Sequence, residues 1–90
     1  MKTLVAAAPG KAVYTDEYSR PEATGDQVVV KVLRNGICAT DMAILEGTAG
    51  FIKDGSTPYP VRFGHEFVGK VVECGSDVKH LKPGDRVISE

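Results

Sequence analysis

The ninety residues carry no long apolar run, no excess charge of either sign, and only two cysteines and two histidines. Each shortage excludes something. No stretch approaches the roughly 20 apolar residues that a bilayer-spanning helix needs. Eleven Lys and Arg against twelve Asp and Glu leave no basic field to draw nucleic acid or an anionic membrane. The opening Met1-Lys2-Thr3-Leu4-Val5-Ala6-Ala7-Ala8-Pro9 faintly imitates an export signal, but its apolar part is too short. It reads as a first strand. With no export signal, Cys38 and Cys74 are expected as thiols in a reducing cytoplasm. There is no internal repeat, no low-complexity segment and no Gly-x-Gly-x-x-Gly dinucleotide fingerprint.

A chain of this length builds at most one small domain and buries about 60% of its unfolded surface. Its apolar content of 42% is that of a globular protein, so disorder is not the expectation. The pattern is rich in strands. Lys2–Ala8 and Lys11–Thr15 flank the turn dipeptide Pro9-Gly10 and predict a hairpin. Residues 19–26 read as a loop, and the valine-rich 27–33 and 67–74 as strands. Met42, Ile44 and Leu45 are at helical spacing within 39–46, with Thr40 or Asp41 expected to cap that short helix. Residues 47–60, holding Gly47, Gly50, Gly55, Pro58 and Pro60, read as one long irregular loop. Lys82-Pro83-Gly84-Asp85 is a turn, and 86–89 begins another strand. Short strands joined by Gly and Pro turns mean a mostly β fold, barrel or sandwich, with one small helix. Periodicity alone does not choose between barrel and sandwich.

The most informative stretch is 64–78, where Gly64-His65-Glu66 precedes a strand punctuated by Gly69 and Gly75. Upstream lies Gly36-Ile37-Cys38-Ala39-Thr40-Asp41. Thiolate, imidazole and carboxylate form a ligand set for a catalytic zinc that keeps one position open. Taken singly, each residue has a plainer reading. Cys38 is then a small buried hydrophobe, His65 a hydrogen-bonded core histidine, Glu66 a solvated charge, Thr40 a helix cap and Asp41 a first-turn acid.

The spacing Gly-His-Glu, two residues, Gly, five residues, Gly, two residues, Val is met at every fixed position by residues 64–78. Together with the segment around Cys38 and the later Gly84-Asp85-Arg86-Val87, it resembles the N-terminal part of the catalytic domain of zinc-dependent medium-chain alcohol and polyol dehydrogenases. The resemblance spans the chain. It implies a GroES-like partial β-barrel with one or two short helices. It also implies that 1–90 is a portion of a longer catalytic domain, without the cofactor-binding Rossmann domain and the cysteine-rich structural-zinc lobe. In such enzymes zinc polarises the oxygen of a secondary alcohol, polyol or sugar-derived alcohol, and hydride passes to NAD or NADP.

Carried onto this sequence, the resemblance makes Cys38, His65 and Glu66 metal ligands, and Thr40 the hydroxyl that relays the substrate proton. Glu66 is a ligand in some members and a nearby carboxylate in others. Asp41 matches a carboxylate that hydrogen-bonds the zinc-bound imidazole. One thiolate and one carboxylate would neutralise the zinc formally, while imidazole adds no charge. A histidine found in several members five residues after the cysteine is replaced here by Ala43, which shortens the proton relay. Cys74 matches no ligand position, and His80 reads as solvated surface. Asp85 and Arg86 read as a pair tying strand to loop. Phe51 and Tyr59 are expected in the cleft wall.

The resemblance further implies a cytoplasmic homodimer or homotetramer whose partner is a small alcohol, neither nucleic acid nor membrane. The ninety residues alone are expected to be inactive and to bind zinc weakly. Two other readings stand beside this one. A quinone or enoyl reductase on the same barrel needs neither Cys38 nor His65, and a co-chaperonin-like structural module has no use for a Gly-His-Glu set.

Overall fold

Pro9-Gly10 reverses the chain between two strands, because Gly10 takes φ +75, which few side chains tolerate. The hairpin predicted there forms as β1 (Thr3–Ala8) and β2 (Lys11–Thr15). In full, the computed structural model, which describes residues 1–89, has the order β1, β2, β3 (Val28–Gly36), α1 (Ala39–Glu46), α2 (Gly50–Lys53), β4 (Val61–Arg62), β5 (Glu66–Cys74) and β6 (Arg86–Ser89). This is the mostly β architecture with short helices that the sequence implied. No helix among the described residues is long and apolar enough to cross a membrane. The chain divides into two compact units.

The first unit holds residues 1–19 and 37–64. Its sheet is antiparallel, in the order β2-β1-β4, with Val5 opposite Val13 on one side and Arg62 on the other. Ala6, Ile44 and Ala49 are its buried centre, ringed by Ala43, Leu45, Ile52, Tyr59, Val61 and Phe63. Removing Ile44 from water contributes about 2 kcal/mol on the usual area scale. Met42, on the same helix, stays 45% exposed. The 47–60 segment departs from the expected irregular loop. It carries the helical turn α2, and the Tyr59 hydroxyl donates to the Ile44 carbonyl. Tyr59 therefore anchors the segment to α1, and Phe51 is the exposed aromatic of the expected wall pair.

The second unit holds residues 20–36 and the chain from His65 onward. Its sheet is antiparallel, in the order β3-β5-β6. β3 runs three residues beyond its valine-rich core because Arg34, Asn35 and Gly36 pair with Val68, Phe67 and Glu66. Partner strands, not local propensity, set that end. Val71 is 1% exposed and Val29 9%. Gly69, against the neighbouring strand, and Gly75, against the 20–26 loop, leave no room for a side chain. A Cβ on Gly69 would lie 2.3 Å from Val30, and one on Gly75 2.2 Å from the Gly25 carbonyl oxygen. Glu73 secures the 20–26 loop, accepting from the Ala23 N–H at 2.6 Å and from Arg20 at 3.4 Å. The expected Asp85–Arg86 tie is replaced by Asp85 with Lys82, at 3.0 Å to its N–H and 3.1 Å to its ammonium.

Candidate metal centre

Helix α1 does not begin as its composition suggested. The N-cap is Cys38, with extended backbone (φ −111, ψ 174), so Thr40 and Asp41 fall in the first turn. The cap is reciprocal in the manner of a capping box. Asp41, at the third helical position, reaches back so that its Oδ2 accepts the Cys38 N–H at 3.1 Å. The helix ends where Gly47 turns left-handed at φ 81 and frees the chain to leave. Cys38 is thereby placed at the N-terminal edge of α1, half-buried, on a backbone that its own helix locks.

The other oxygen of Asp41 is also engaged. Its Oδ1 accepts the Gly64 N–H at 3.2 Å. Gly64 has φ +100, a left-handed conformation that suits glycine and little else. His65 follows it directly. The ligand-capable atoms of Cys38, Asp41 and His65 all lie within 4.8 Å of one another. Asp41 is 2% exposed, whereas Cys38 and His65 are half-buried.

The donor set suits zinc, offering one sulfur, one ring nitrogen and one carboxylate oxygen. Bonds of about 2.0 to 2.3 Å at tetrahedral angles put donors roughly 3.5 Å apart. The widest pair here would have to draw in by about an ångström to meet that spacing, a side-chain adjustment. A carboxylate so completely removed from water needs hydrogen bonds or a cation to offset its desolvation. Two main-chain N–H groups provide the hydrogen bonds.

Not every residue proposed from the sequence joins this group. Glu66 is exposed at the start of β5, opposite Gly36, with its side chain alongside that glycine's open face. Thr40 is exposed on the first turn of α1, between the group's Cys38 and Asp41 in sequence. Ala43 is half-buried against the first unit's core. Cys74 lies in the second unit with its thiol directed to the Leu81 carbonyl at 3.7 Å, and His80 is exposed. Neither cysteine is in a disulfide. Sequence reasoning missed the two main-chain hydrogen bonds of Asp41. The available signal was the spacing Cys-x-x-Asp, a cap residue and an acid three positions on.

Comparison with known proteins agrees with this architecture. The chain is 45% identical to D-arabitol-phosphate dehydrogenase of Enterococcus avium, over its whole length and 24% of that protein. It is 41% identical to L-threonine 3-dehydrogenase of Streptomyces avermitilis, over its whole length and 26% of that protein. The solved structure of zinc-dependent alcohol dehydrogenase 2 from Streptococcus pneumonia, in its apo form, superposes with a TM-score of 0.82 and 30% identity, covering 98% of this chain and 24% of that one. The chain thus spans about a quarter of the length of the curated relatives it matches. Residues 24–90 match the alcohol dehydrogenase GroES-like domain, and with the fold and the Gly64–Val78 spacing in agreement, the chain belongs to that family.

Proposed function

We propose that the chain is the part of a zinc- and NAD(P)-dependent dehydrogenase that holds the catalytic metal and receives a secondary alcohol. The observation that carries this reading is that Cys38, Asp41 and His65 form a group able to hold a metal ion. When bound, zinc supplies Lewis acidity at the alcohol oxygen, and the nicotinamide cofactor accepts the hydride. The chain's own residues have simpler tasks. The Cys38 sulfur and a His65 ring nitrogen bind the metal. The Asp41 carboxylate orients the site. The Thr40 hydroxyl, exposed beside Asp41, passes the substrate proton outward without holding a charge. Ala43 cannot take that proton further, so solvent is its next acceptor.

Glu66 is the remaining carboxylate, exposed and next to His65 in sequence. In this proposal it would supply a further oxygen donor if the substrate's chemistry required one, and it faces water otherwise. The relatives' names support a secondary alcohol as the reacting group. A polyol phosphate and carbon 3 of threonine share that feature and little else. A reductase without metal is disfavoured because it has no use for a thiol and an imidazole set beside a buried carboxylate.

Zinc titration of the ninety-residue chain tests the reading. Wild type is expected to take up one zinc, and Cys38→Ser and His65→Ala each to lose at least about tenfold in affinity. Equal affinity and stoichiometry in all three proteins would remove both residues as ligands and leave the non-metal relative as the better reading. Glu66→Gln is expected to bind zinc with unchanged stoichiometry, because the group that gathers the metal does not include it.

A further inference from the structure

Asp41 spends both carboxylate oxygens on main-chain donors from widely separated parts of the chain. Oδ2 takes the N–H of Cys38, the residue that carries the thiol. Oδ1 takes the N–H of Gly64, the residue before the imidazole. Gly64 presents its N–H to the carboxylate from a backbone conformation, φ +100, that other residues rarely adopt. The carboxylate is 2% exposed, so these bonds operate where water does not compete. An amide side chain cannot replace it. Asparagine has one oxygen, and its NH₂ would face one of the two N–H groups.

We infer that Asp41 is a positioning residue that fastens the main chain at Cys38 to the main chain at Gly64, the residue before His65, so that the two segments leading to the ligands are tied before any metal arrives. This rests on the reading of Cys38 and His65 as metal ligands. It assigns Asp41 a task besides orienting a bound imidazole, namely holding the backbone of both ligand segments. The carboxylate replaces a requirement that metal binding itself order two distant segments, which would be drawn from the binding free energy.

Amide hydrogen exchange on the metal-free wild-type chain is the first test. The Cys38 and Gly64 amides are expected to exchange at least about tenfold more slowly than in an unstructured peptide, and to change little when Zn²⁺ is added. Peptide-like exchange at either amide in metal-free protein would overturn the inference without any variant. The second test is Asp41→Asn. At least one of the two amides should lose its protection, while the Val71 amide, bonded to the Asp85 carbonyl at 2.8 Å, reports that the fold persists. Affinity for Zn²⁺ and for Co²⁺ should fall about 10- to 100-fold with stoichiometry kept. The thiolate-to-cobalt absorption band should keep its position. Wild-type affinity in this variant would overturn the inference, as would a shifted band, which would make Asp41 a direct ligand. Cys38→Ser and His65→Ala separate the two claims. If they bind metal as wild type does, the ligand reading has failed, and the exchange data still report whether Asp41 joins the two segments.

Discussion

Glu73 shows what a single exposed carboxylate does in this fold. The Ala23 N–H, and after it the Arg20 guanidinium, hold its carboxyl below the ordinary glutamate value. Asp85 is lowered in the same way by the Lys82 N–H and then the Lys82 side chain, and Asp54 by the Ser56 side chain and then the Ser56 N–H. A carboxyl whose folded value lies below its unfolded value stabilises the fold in full above the unfolded value. It loses that contribution as pH falls through the folded one. Thermal unfolding of wild type is therefore expected to be flat near neutrality and to weaken on the acid side, below the usual carboxylate range. Glu73→Gln should show a shallower acid decline than wild type, with Asp54 and Asp85 maintaining the remainder. An unchanged acid limb in that variant would mean the Ala23 bond does not operate in solution. At this same scale Asp41 differs in kind, since its residue is buried and two main-chain amides donate to its carboxylate.

Among the elements, β5 carries the most constraint. It lies at the centre of its sheet between β3 and β6, and it bears Gly69 of the 64–78 pattern, with Gly64 before it and Gly75 after it. Gly75 follows its last residue and sits against the Gly25 carbonyl, where a methyl group would be 2.2 Å from backbone oxygen. Gly75→Ala must push one loop from the other, and overpacking of this kind costs about 1 to 3 kcal/mol. Chemical denaturation should report a lower midpoint with an unchanged slope. Gly50→Ala serves as the control, because nothing lies within 4 Å of a Cβ there. Helix α1 shows how local chemistry and fold cooperate. Its span was legible from apolar spacing, but its start was not, because a cysteine cap is unusual and Thr40 and Asp41 are both better capping residues by composition. The two-residue β4 was not legible at all. Val61-Arg62 has no alternating pattern long enough to read, and it exists because β1 offers it an edge.

For the whole molecule, the ninety residues hold the candidate metal group but no glycine-rich dinucleotide fingerprint. The purified chain, supplied with Zn²⁺, NAD⁺ or NADP⁺ and a secondary alcohol, is expected to produce no reduced cofactor above background. Measurable cofactor reduction at 340 nm would show that the ninety residues suffice for both cofactor and alcohol.

Residue identity and spacing by themselves determined the mostly β class, the hairpin, the span of α1 and the naming of Cys38, His65 and Glu66, while Asp41 was named through the family resemblance. Those features follow from turn chemistry, alternation and the scarcity of thiol and imidazole in this chain. Tertiary structure alone decided that Asp41 also takes the Gly64 N–H, that Glu66 lies opposite Gly36, and that Tyr59 anchors its loop. The reason is physical. Which partner a polar group finds depends on what the fold brings within about 3 Å of it, and segments distant along the chain carry no local signal of that meeting.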